Sequence, residues 1–228
     1  MIKKYFYYFF LLFFIGCNLH AQDLNFSGLP VEVSTSAGNQ DELVIYLTGD
    51  GGWNNFSSHL MHSFEREGFG VVSVNTRDYF WDKKSPAEFA EAIEKLSKHY
   101  LAEWKKDKVI LVGYSFGADV ASFLPSRLSS FLQKRVKNLV LLSPSASTDF
   151  VIRLRDMIGS HDNAEREYKT APEIENSSLP IICVFGNQED LILKNVLKQD
   201  KHLTIYKIPG DHEYEENYSL LTSFIHKN

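Results

Sequence analysis

The sequence predicts an α/β fold with a mostly parallel sheet and helices on both faces. Short apolar runs alternate along the chain with amphipathic stretches, which is the pattern of repeated strand–helix–strand units. The central runs are apolar along nearly their whole length, as expected of strands that helices cover on both sides. A chain of 228 residues suits one such domain.

Six runs are predicted as strands because they are short, apolar and rich in β-branched residues. Each is followed by polar or glycine-containing residues that end the strand. In chain order the predicted strands are Leu43–Leu47, Val71–Val74, Val109–Val112, Leu139–Leu142, Ile181–Phe185 and Leu203–Ile208.

Three helices are predicted between and after these strands. The first runs from Pro86 towards Trp104, since proline is favoured in a first helical turn and Glu88 lies near the positive end of the helix. The other two span Phe116–Leu128 and Tyr218–Ile225. Together with the strands they give the order expected of a doubly wound sheet.

Residues 1–21 are predicted to be a secretory signal peptide. Two lysines precede the wholly apolar stretch Tyr5–Ile15, which is shorter than the roughly 20 residues that span a bilayer. Cleavage after Ala21 would release a domain of residues 22–228, and this alternative is favoured. Acylation of Cys17, which follows a relaxed lipoprotein motif, is the other alternative and would anchor the domain to a membrane.

One stretch interrupts the alternation of strands and helices. Between Ser143 and Leu179 there is no clear strand, and the segment is strongly polar. Residues of about 149–178 are therefore a candidate cap over the carboxyl ends of the strands, where α/β sheets bind ligands. An ordinary crossover with one surface helix is an equally good interpretation.

The strongest chemical motif is Gly113-Tyr114-Ser115-Phe116-Gly117, which joins a predicted strand to a predicted helix. A G-x-S-x-G sequence in this context predicts a nucleophilic serine on a tight turn, with small neighbours that let other backbone pass close by. The N-terminus of the following helix would favour developing negative charge. We therefore predict that Ser115 is a catalytic nucleophile in an α/β-hydrolase fold.

A serine nucleophile needs a general base and an acidic group that orients the base. His212 follows the last predicted strand, at the position where an α/β-hydrolase carries its base. Asp190 and Glu189 both follow the strand before it, and we prefer Asp190 because aspartate is the commoner orienting group. The predicted chain order Ser115, Asp190, His212 is that of α/β-hydrolases.

Backbone N–H groups for an oxyanion hole are predicted at two places. Phe116 follows the nucleophile directly, and Asp50 or Gly51 lies in the glycine-rich loop after the first long strand. The spacing of that loop fits neither phosphate-binding glycine motif. No metal-ligand spacing such as H-E-x-x-H occurs, so no metal and no cofactor are expected.

The charge of the chain bears on its partners. The formal net charge is −5, which argues against a nucleic-acid partner because phosphates require a basic surface. A small-molecule or lipid ester is the substrate class that the predicted chemistry requires.

Four motifs together make the sequence similar to the VirJ/AcvB family of bacterial virulence proteins. They are Gly49–Trp53, Tyr79–Trp81, Gly113–Asp119 and the Pro-Gly-x-His turn at 209–212. The resemblance extends from about Leu43 to the end of the chain, and the chain looks like the short, single-domain form of the family.

The resemblance implies a periplasmic location and two alternative functions. Longer members of the family hydrolyse the aminoacyl ester of lysyl-phosphatidylglycerol, so the resemblance implies a lipid ester substrate and contact with a membrane surface. A carboxylate such as Asp50 or Asp119 would then receive the lysyl ammonium group. Short members are linked to type IV secretion, which implies instead a non-catalytic binding protein with protein partners.

Overall fold

The computed structural model describes residues 26–153 and 166–227. The predicted signal peptide, residues 1–21, and Cys17 lie outside these ranges, so their predictions remain untested. In the ranges described, no helix is both long and apolar enough to cross a bilayer.

The described chain is built around a seven-stranded sheet with the order β1-β3-β2-β4-β5-β8-β9. All of its neighbouring strands are parallel except β1, which pairs antiparallel with β3 at one edge. A separate antiparallel pair is formed by β6 and β7. The strands are β1 Val31–Val33, β2 Glu42–Leu47, β3 Gly70–Val74, β4 Lys108–Tyr114, β5 Val136–Leu142, β6 Ser147–Thr148, β7 Tyr168–Lys169, β8 Ile181–Gly186 and β9 Leu203–Ile208.

The predicted α/β fold with a mostly parallel sheet is confirmed, and each of the six predicted strands is present within a few residues of its predicted bounds. Successive side chains of a strand point to opposite faces. In β2, Leu43 and Ile45 accordingly contribute to one buried cluster and Val44 and Tyr46 to the other. Two apolar layers, one on each face of the sheet, explain why the central strands are apolar at nearly every position.

Helices cover both faces. They are α1 Asn55–Arg66, α2 Thr76–Tyr79, α3 Pro86–Glu103, α4 Phe116–Ala121, α5 Ser130–Gln133, α6 Thr170–Glu175, α7 Leu193–Val196 and α8 Tyr218–Ser223, with 3₁₀ turns at Tyr214–Glu216 and Phe224–His226.

The predicted helix from Pro86 is confirmed as α3, and its start is explained by a capping box. The Ser85 hydroxyl accepts a hydrogen bond from the Glu88 amide, and the Glu88 carboxylate accepts one from the Ser85 amide. The helix predicted over Phe116–Leu128 ends as α4 at Ala121 instead. Pro125 explains this early end, since its ring would clash with the carbonyl of residue 121 in a continuing helix.

Helix α1 was not among the predicted helices, although its sequence carries the signal. Asn54 caps it by accepting a hydrogen bond from the Ser57 amide. Phe56, Leu60 and Phe64 recur every four residues and are buried against the sheet. Polar residues between them hid this periodicity.

The candidate cap at about 149–178 is described only in part, because residues 154–165 lie outside the described ranges. The described portions contain β7 and α6, and β7 pairs with β6 at Ser147 and Thr148. Asp149 and Val151 to Arg153 lie against the carboxyl end of the sheet, where they line the cavity that also contains Ser115. Whether the segment is a separate cap stays a prediction.

Candidate active site

Ser115 lies between β4 and α4 in a backbone conformation that non-glycine residues rarely adopt, with φ 53° and ψ −122°. Two glycines make this turn feasible. A Cβ atom at Gly113 would lie 2.6 Å from the carbonyl oxygen of Gly117, and one at Gly117 would collide with the carbonyl oxygens of Leu47 and Thr48. The strained turn therefore holds the serine at the carboxyl edge of the sheet, as the G-x-S-x-G motif predicts.

The imidazole of His212 connects Ser115 to an acidic residue. Its Nε2 lies 2.9 Å from Ser115 Oγ, and its Nδ1 lies 2.6 Å from Glu189 Oε1. Because a carboxylate can only accept hydrogen bonds, Nδ1 carries a proton and its N–H donates a hydrogen bond to Glu189. Nε2 is then the acceptor for the Ser115 hydroxyl, which is the arrangement required of a general base.

The preference for Asp190 as the acidic residue was wrong: the structure places Glu189 there. The Glu189 side chain is only 4% exposed, whereas Asp190 is exposed to solvent. The turn after β8 explains the difference, since the Glu189 amide donates back to the Gly186 carbonyl and the Gly186 amide donates to Glu189 Oε2 at 2.6 Å. This turn directs residue 189 towards His212 and residue 190 away from it.

The histidine loop is held close to the acid loop. Gly210 has φ 111°, in the region that favours glycine, and a Cβ atom there would lie 2.7 Å from Tyr214 Cα. A Cβ atom at Gly186 would lie 2.6 Å from the Gly210 carbonyl oxygen. The Tyr114 hydroxyl donates to the His212 carbonyl at 3.2 Å, which fixes the loop from the nucleophile side.

Two of the three residues predicted as oxyanion donors, Phe116 and Asp50, line the cavity that contains the nucleophile. Phe116 is the first residue of α4, so its N–H has no acceptor within the helix. The loop after β2 passes over Ser115, since a Cβ atom at Gly49 would lie 3.3 Å from Ser115 Cβ. Asp50 lines the same cavity as Ser115 and Phe116, and Gly51 follows it and packs against Asn54.

That loop is anchored by a buried threonine pair. The Thr76 hydroxyl donates to the carbonyl oxygen of Thr48 at 2.7 Å, and the Thr76 amide donates to the Thr48 hydroxyl at 3.1 Å. The Gly52 amide donates to the Gly49 carbonyl and closes a tight turn. The backbone of residues 49–52 is therefore fixed before any substrate binds, as an oxyanion hole requires.

Charged side chains that sequence reasoning missed line the cavity around Ser115. The buried Asp149 carboxylate lies 2.7 Å from Arg153 and 3.4 Å from Arg166, and it accepts a hydrogen bond from the Glu167 amide at 3.0 Å. These residues stand in the polar segment that the sequence predicts as a cap, and nothing in their spacing distinguishes them from surface charges. These side chains form one wall of that cavity, beside Ser115.

A third carboxylate in the cavity, Asp119, has a structural partner. Its Oδ1 accepts a hydrogen bond from the Ser145 amide at 2.6 Å, and the residue is buried. Asp119 belongs to the first turn of α4, so it joins the nucleophile helix to the segment that follows β5. Among the described residues, no cluster of His, Cys, Asp and Glu side chains is arranged to hold a metal ion.

The fold is similar to that of several solved hydrolases. Est1E from Butyrivibrio proteoclasticus aligns with a TM-score of 0.58 at 14% identity, covering 86% of this chain and 89% of that chain. A proline iminopeptidase from Mycobacterium smegmatis aligns with a TM-score of 0.60 at 12% identity, covering 86% and 94%. An alpha-beta serine hydrolase homologue from Coxiella burnetii aligns with a TM-score of 0.59 at 14% identity, covering 86% and 89%. At these identities the likeness establishes the α/β-hydrolase fold alone.

The comparison of sequences identifies the family. No curated protein matches the chain significantly. The family model of the bacterial virulence protein VirJ matches residues 41–228, which include the loop over the nucleophile, Ser115, Glu189 and His212. The resemblance seen in the sequence motifs is thereby confirmed, and the chain belongs to the VirJ family of bacterial virulence proteins, built on an α/β-hydrolase fold.

Proposed function

We propose that the protein is an exported serine hydrolase that cleaves carboxylic esters. The observation that carries the proposal is the continuous hydrogen-bonded series from Ser115 through His212 to Glu189, with distances of 2.9 Å and 2.6 Å. A nucleophile, a base and an orienting acid in this geometry form the constellation of serine hydrolases, in which glutamate can replace aspartate.

In the proposed reaction, Ser115 Oγ attacks the ester carbonyl while its proton passes to His212 Nε2. The N–H of Phe116, with a backbone N–H of the loop at residues 50–51, stabilises the negative charge that develops on the carbonyl oxygen. The leaving alcohol takes the proton from His212 as the acyl–oxygen bond breaks and an acyl-serine forms. Water then gives a proton to His212 Nε2 and attacks the acyl group. The bond between the acyl carbon and Ser115 Oγ breaks, Ser115 Oγ takes the proton back from His212, and the carboxylic acid leaves. Glu189 stabilises the imidazolium form of His212 in both halves.

We further propose the aminoacyl ester of lysyl-phosphatidylglycerol as the substrate. Family resemblance suggests this substrate, and the mixed charge of the cavity supports it. Asp50, which is half-buried, and the buried Asp119 both line this cavity, where either carboxylate would attract the lysyl ammonium. Arg153 and Arg166 lie in the same wall, where guanidinium groups would attract the lipid phosphate. Action on such a lipid requires export to the periplasm and contact with a membrane surface.

Labelling by a fluorophosphonate probe tests the catalytic chemistry. The wild-type protein should be labelled covalently, and the Ser115→Ala variant should not be labelled. Labelling that persists in Ser115→Ala would identify a different reactive serine, and an unlabelled wild type would contradict the hydrolase proposal.

The substrate class is tested with vesicles that contain lysyl-phosphatidylglycerol. Release of free lysine should depend on Ser115, and Asp50→Asn should reduce the rate on the lysyl ester more than the rate on a neutral short-chain ester. Equal losses on both esters would remove the proposed role of Asp50.

One observation favours the alternative of a non-catalytic binding protein: the family that matches residues 41–228 is described by its role in bacterial virulence and not by an enzymatic activity. On that alternative, Ser115→Ala would leave the biological role in secretion intact. Esterase activity that is lost in Ser115→Ala, together with loss of the biological role, would decide in favour of the enzyme.

A further inference from the structure

Two buried hydroxyl groups lie directly behind the acidic residue of the site. Ser143, at the end of β5, places its Oγ 2.8 Å from Glu189 Oε2 and 2.5 Å from the Tyr214 hydroxyl. The Tyr214 hydroxyl also lies 2.9 Å from the Val184 carbonyl oxygen. Ser143 and Tyr214 are both completely buried, so the interactions of these hydroxyls form in a region of low dielectric constant.

The hydroxyls of Ser143 and Tyr214 make three contacts in all, but each hydroxyl carries only one hydrogen, so only two of the three contacts can hold a proton. The Glu189 carboxylate can only accept, so the Ser143 proton points to Glu189 Oε2. Val184 already accepts a hydrogen bond from the Ser143 amide at 2.8 Å, so its carbonyl is satisfied without the phenol. The Tyr214 proton has two acceptors within reach, the Val184 carbonyl at 2.9 Å and Ser143 Oγ at 2.5 Å, and the shorter contact is the one that most needs a proton between its two oxygen atoms.

The state of the phenol agrees with this assignment. Burial, and after it the charge of Glu189, raise the pKa of Tyr214 well above its ordinary value. The phenol consequently keeps its proton at neutral pH and can donate a hydrogen bond. Ser143 has φ 53°, so this serine is held in an uncommon backbone conformation at the point where its hydroxyl meets both partners.

We propose that Tyr214 donates to Ser143 and Ser143 donates to Glu189, and that this two-hydroxyl chain positions the Glu189 carboxylate for His212. The Ser143 hydroxyl and the Gly186 amide both donate to Glu189 Oε2, which leaves Glu189 Oε1 to accept from His212 Nδ1. The inference rests on the proposed hydrolase function and adds two positioning residues to it.

The two-hydroxyl chain also explains how residues that follow three different strands keep a fixed arrangement relative to one another. Ser143 follows β5, Glu189 follows β8, and Tyr214 lies two residues after His212 in the loop that follows β9. A hydrogen bond between Tyr214 and Ser143 therefore fixes the histidine loop relative to the acid loop. Loss of either hydroxyl should disturb the orientation of His212 without removing any group that contacts substrate.

Two variants, Ser143→Ala and Tyr214→Phe, test the proposal in the full-length protein. Ser143→Ala should lower kcat for a neutral short-chain ester by about 10-fold, the effect of losing one hydrogen bond to a charged group, with KM little changed. Tyr214→Phe should lower kcat by about 5-fold, because its hydroxyl bonds the neutral Ser143 and acts on the carboxylate only through it. In a Glu189→Gln background the same substitutions should have almost no further effect, because the carboxylate that they position is gone. Tyr46→Phe is the matched control, since it removes another fully buried hydroxyl, bonded to Ser57 at 3.2 Å.

A spectroscopic measurement separates this proposal from the hydrolase proposal. The ring N–H of His212 that is bonded to Glu189 should give a far-downfield proton resonance, whether or not any ester is cleaved. We expect Ser143→Ala and Tyr214→Phe to shift or broaden this resonance and Tyr46→Phe to leave it unchanged. An unmoved resonance in both variants, or equal kcat losses in the wild-type and Glu189→Gln backgrounds, would overturn the positioning role. A normal response of the resonance in a protein without esterase activity would contradict only the hydrolase function.

Discussion

Replacement of Glu189 tests the central assignment of the site. The bond between His212 Nδ1 and Glu189 Oε1 is 2.6 Å long, and the carboxylate is almost completely buried. Glu189→Gln keeps the shape of the side chain and removes its charge. The imidazolium formed during catalysis then loses its counter-charge, and the amide can hold the ring in the wrong tautomer. We expect kcat/KM for a short-chain ester to fall about 1,000-fold or more, equivalent to about 4 kcal/mol of transition-state stabilisation.

Glu189→Asp gives a second, graded measurement. Shortening the side chain by one carbon–carbon bond withdraws the carboxylate by about 1.5 Å, so the 2.6 Å contact would become roughly 4 Å, which is no longer a hydrogen bond. The charge stays near the ring, so the loss should be smaller than for Glu189→Gln. Asp190→Asn is the matched control, because it alters the adjacent exposed carboxylate and should change the rate by less than about threefold.

The assay is initial-rate hydrolysis of a neutral short-chain ester, with circular dichroism to show that each variant is folded. If Asp190→Asn proved as damaging as Glu189→Gln, the turn after β8 would have to adopt a different conformation in the working enzyme. The assignment of Glu189 would then be refuted.

Three further results are expected. Asp149→Ala should lower the free energy of unfolding by about 2 kcal/mol, measured by urea titration, because it leaves two arginines without their buried partner while one of them stays half-exposed to water. Glu67 accepts hydrogen bonds from Thr222 and His226, and the bond from Thr222 chiefly holds the pKa of Glu67 below its ordinary value. A carboxylate whose pKa is lowered in the folded state stabilises the protein above the ordinary glutamate pKa, and this stabilisation is lost as the pH falls through the folded-state pKa. Thr222→Val should therefore reduce the acid-induced loss of stability below about pH 4.5. Gly117→Ala should abolish esterase activity and lower the melting temperature, because its methyl group would collide with the backbone carbonyls of β2; normal activity in that variant would contradict the close approach.

The sheet could be predicted from the sequence because strands that are buried on both faces are apolar along nearly their whole length. Strands such as β4 and β8 are apolar at nearly every position. They are also shorter than a typical buried helix and are flanked by turn residues, which identifies them as strands. Ser115 and His212 could also be predicted, since each follows a recognisable strand and the turn around Ser115 requires glycine on both sides. The residues immediately around Ser115 and His212 mark both positions, so they could be identified from the sequence alone.

The acidic residue could not be predicted because its identity depends on the conformation of one turn. Residues 189 and 190 are both carboxylates, and their order in the sequence does not say which of them points inward. The hydrogen bonds between Gly186 and Glu189 decide this by folding the chain back at residue 189. Statistical preference for aspartate favoured the wrong residue, because the distance from this turn to His212 suits a side chain with one more carbon.

The charged wall of the cavity was missed for a different reason. Asp149 and Arg166 stand in a polar segment that reads as solvent-exposed, yet each side chain is only 9% exposed. Burial of such groups is costly unless each is paired. The pair of Asp149 and Arg166 joins residues 17 positions apart, so a local pattern does not reveal it. A cavity wall that combines carboxylates and guanidinium groups beside Ser115 suits a substrate with both charges better than a plain hydrocarbon ester. For this reason the proposed esterase activity should depend more on the charge of the substrate than on the length of its acyl chain.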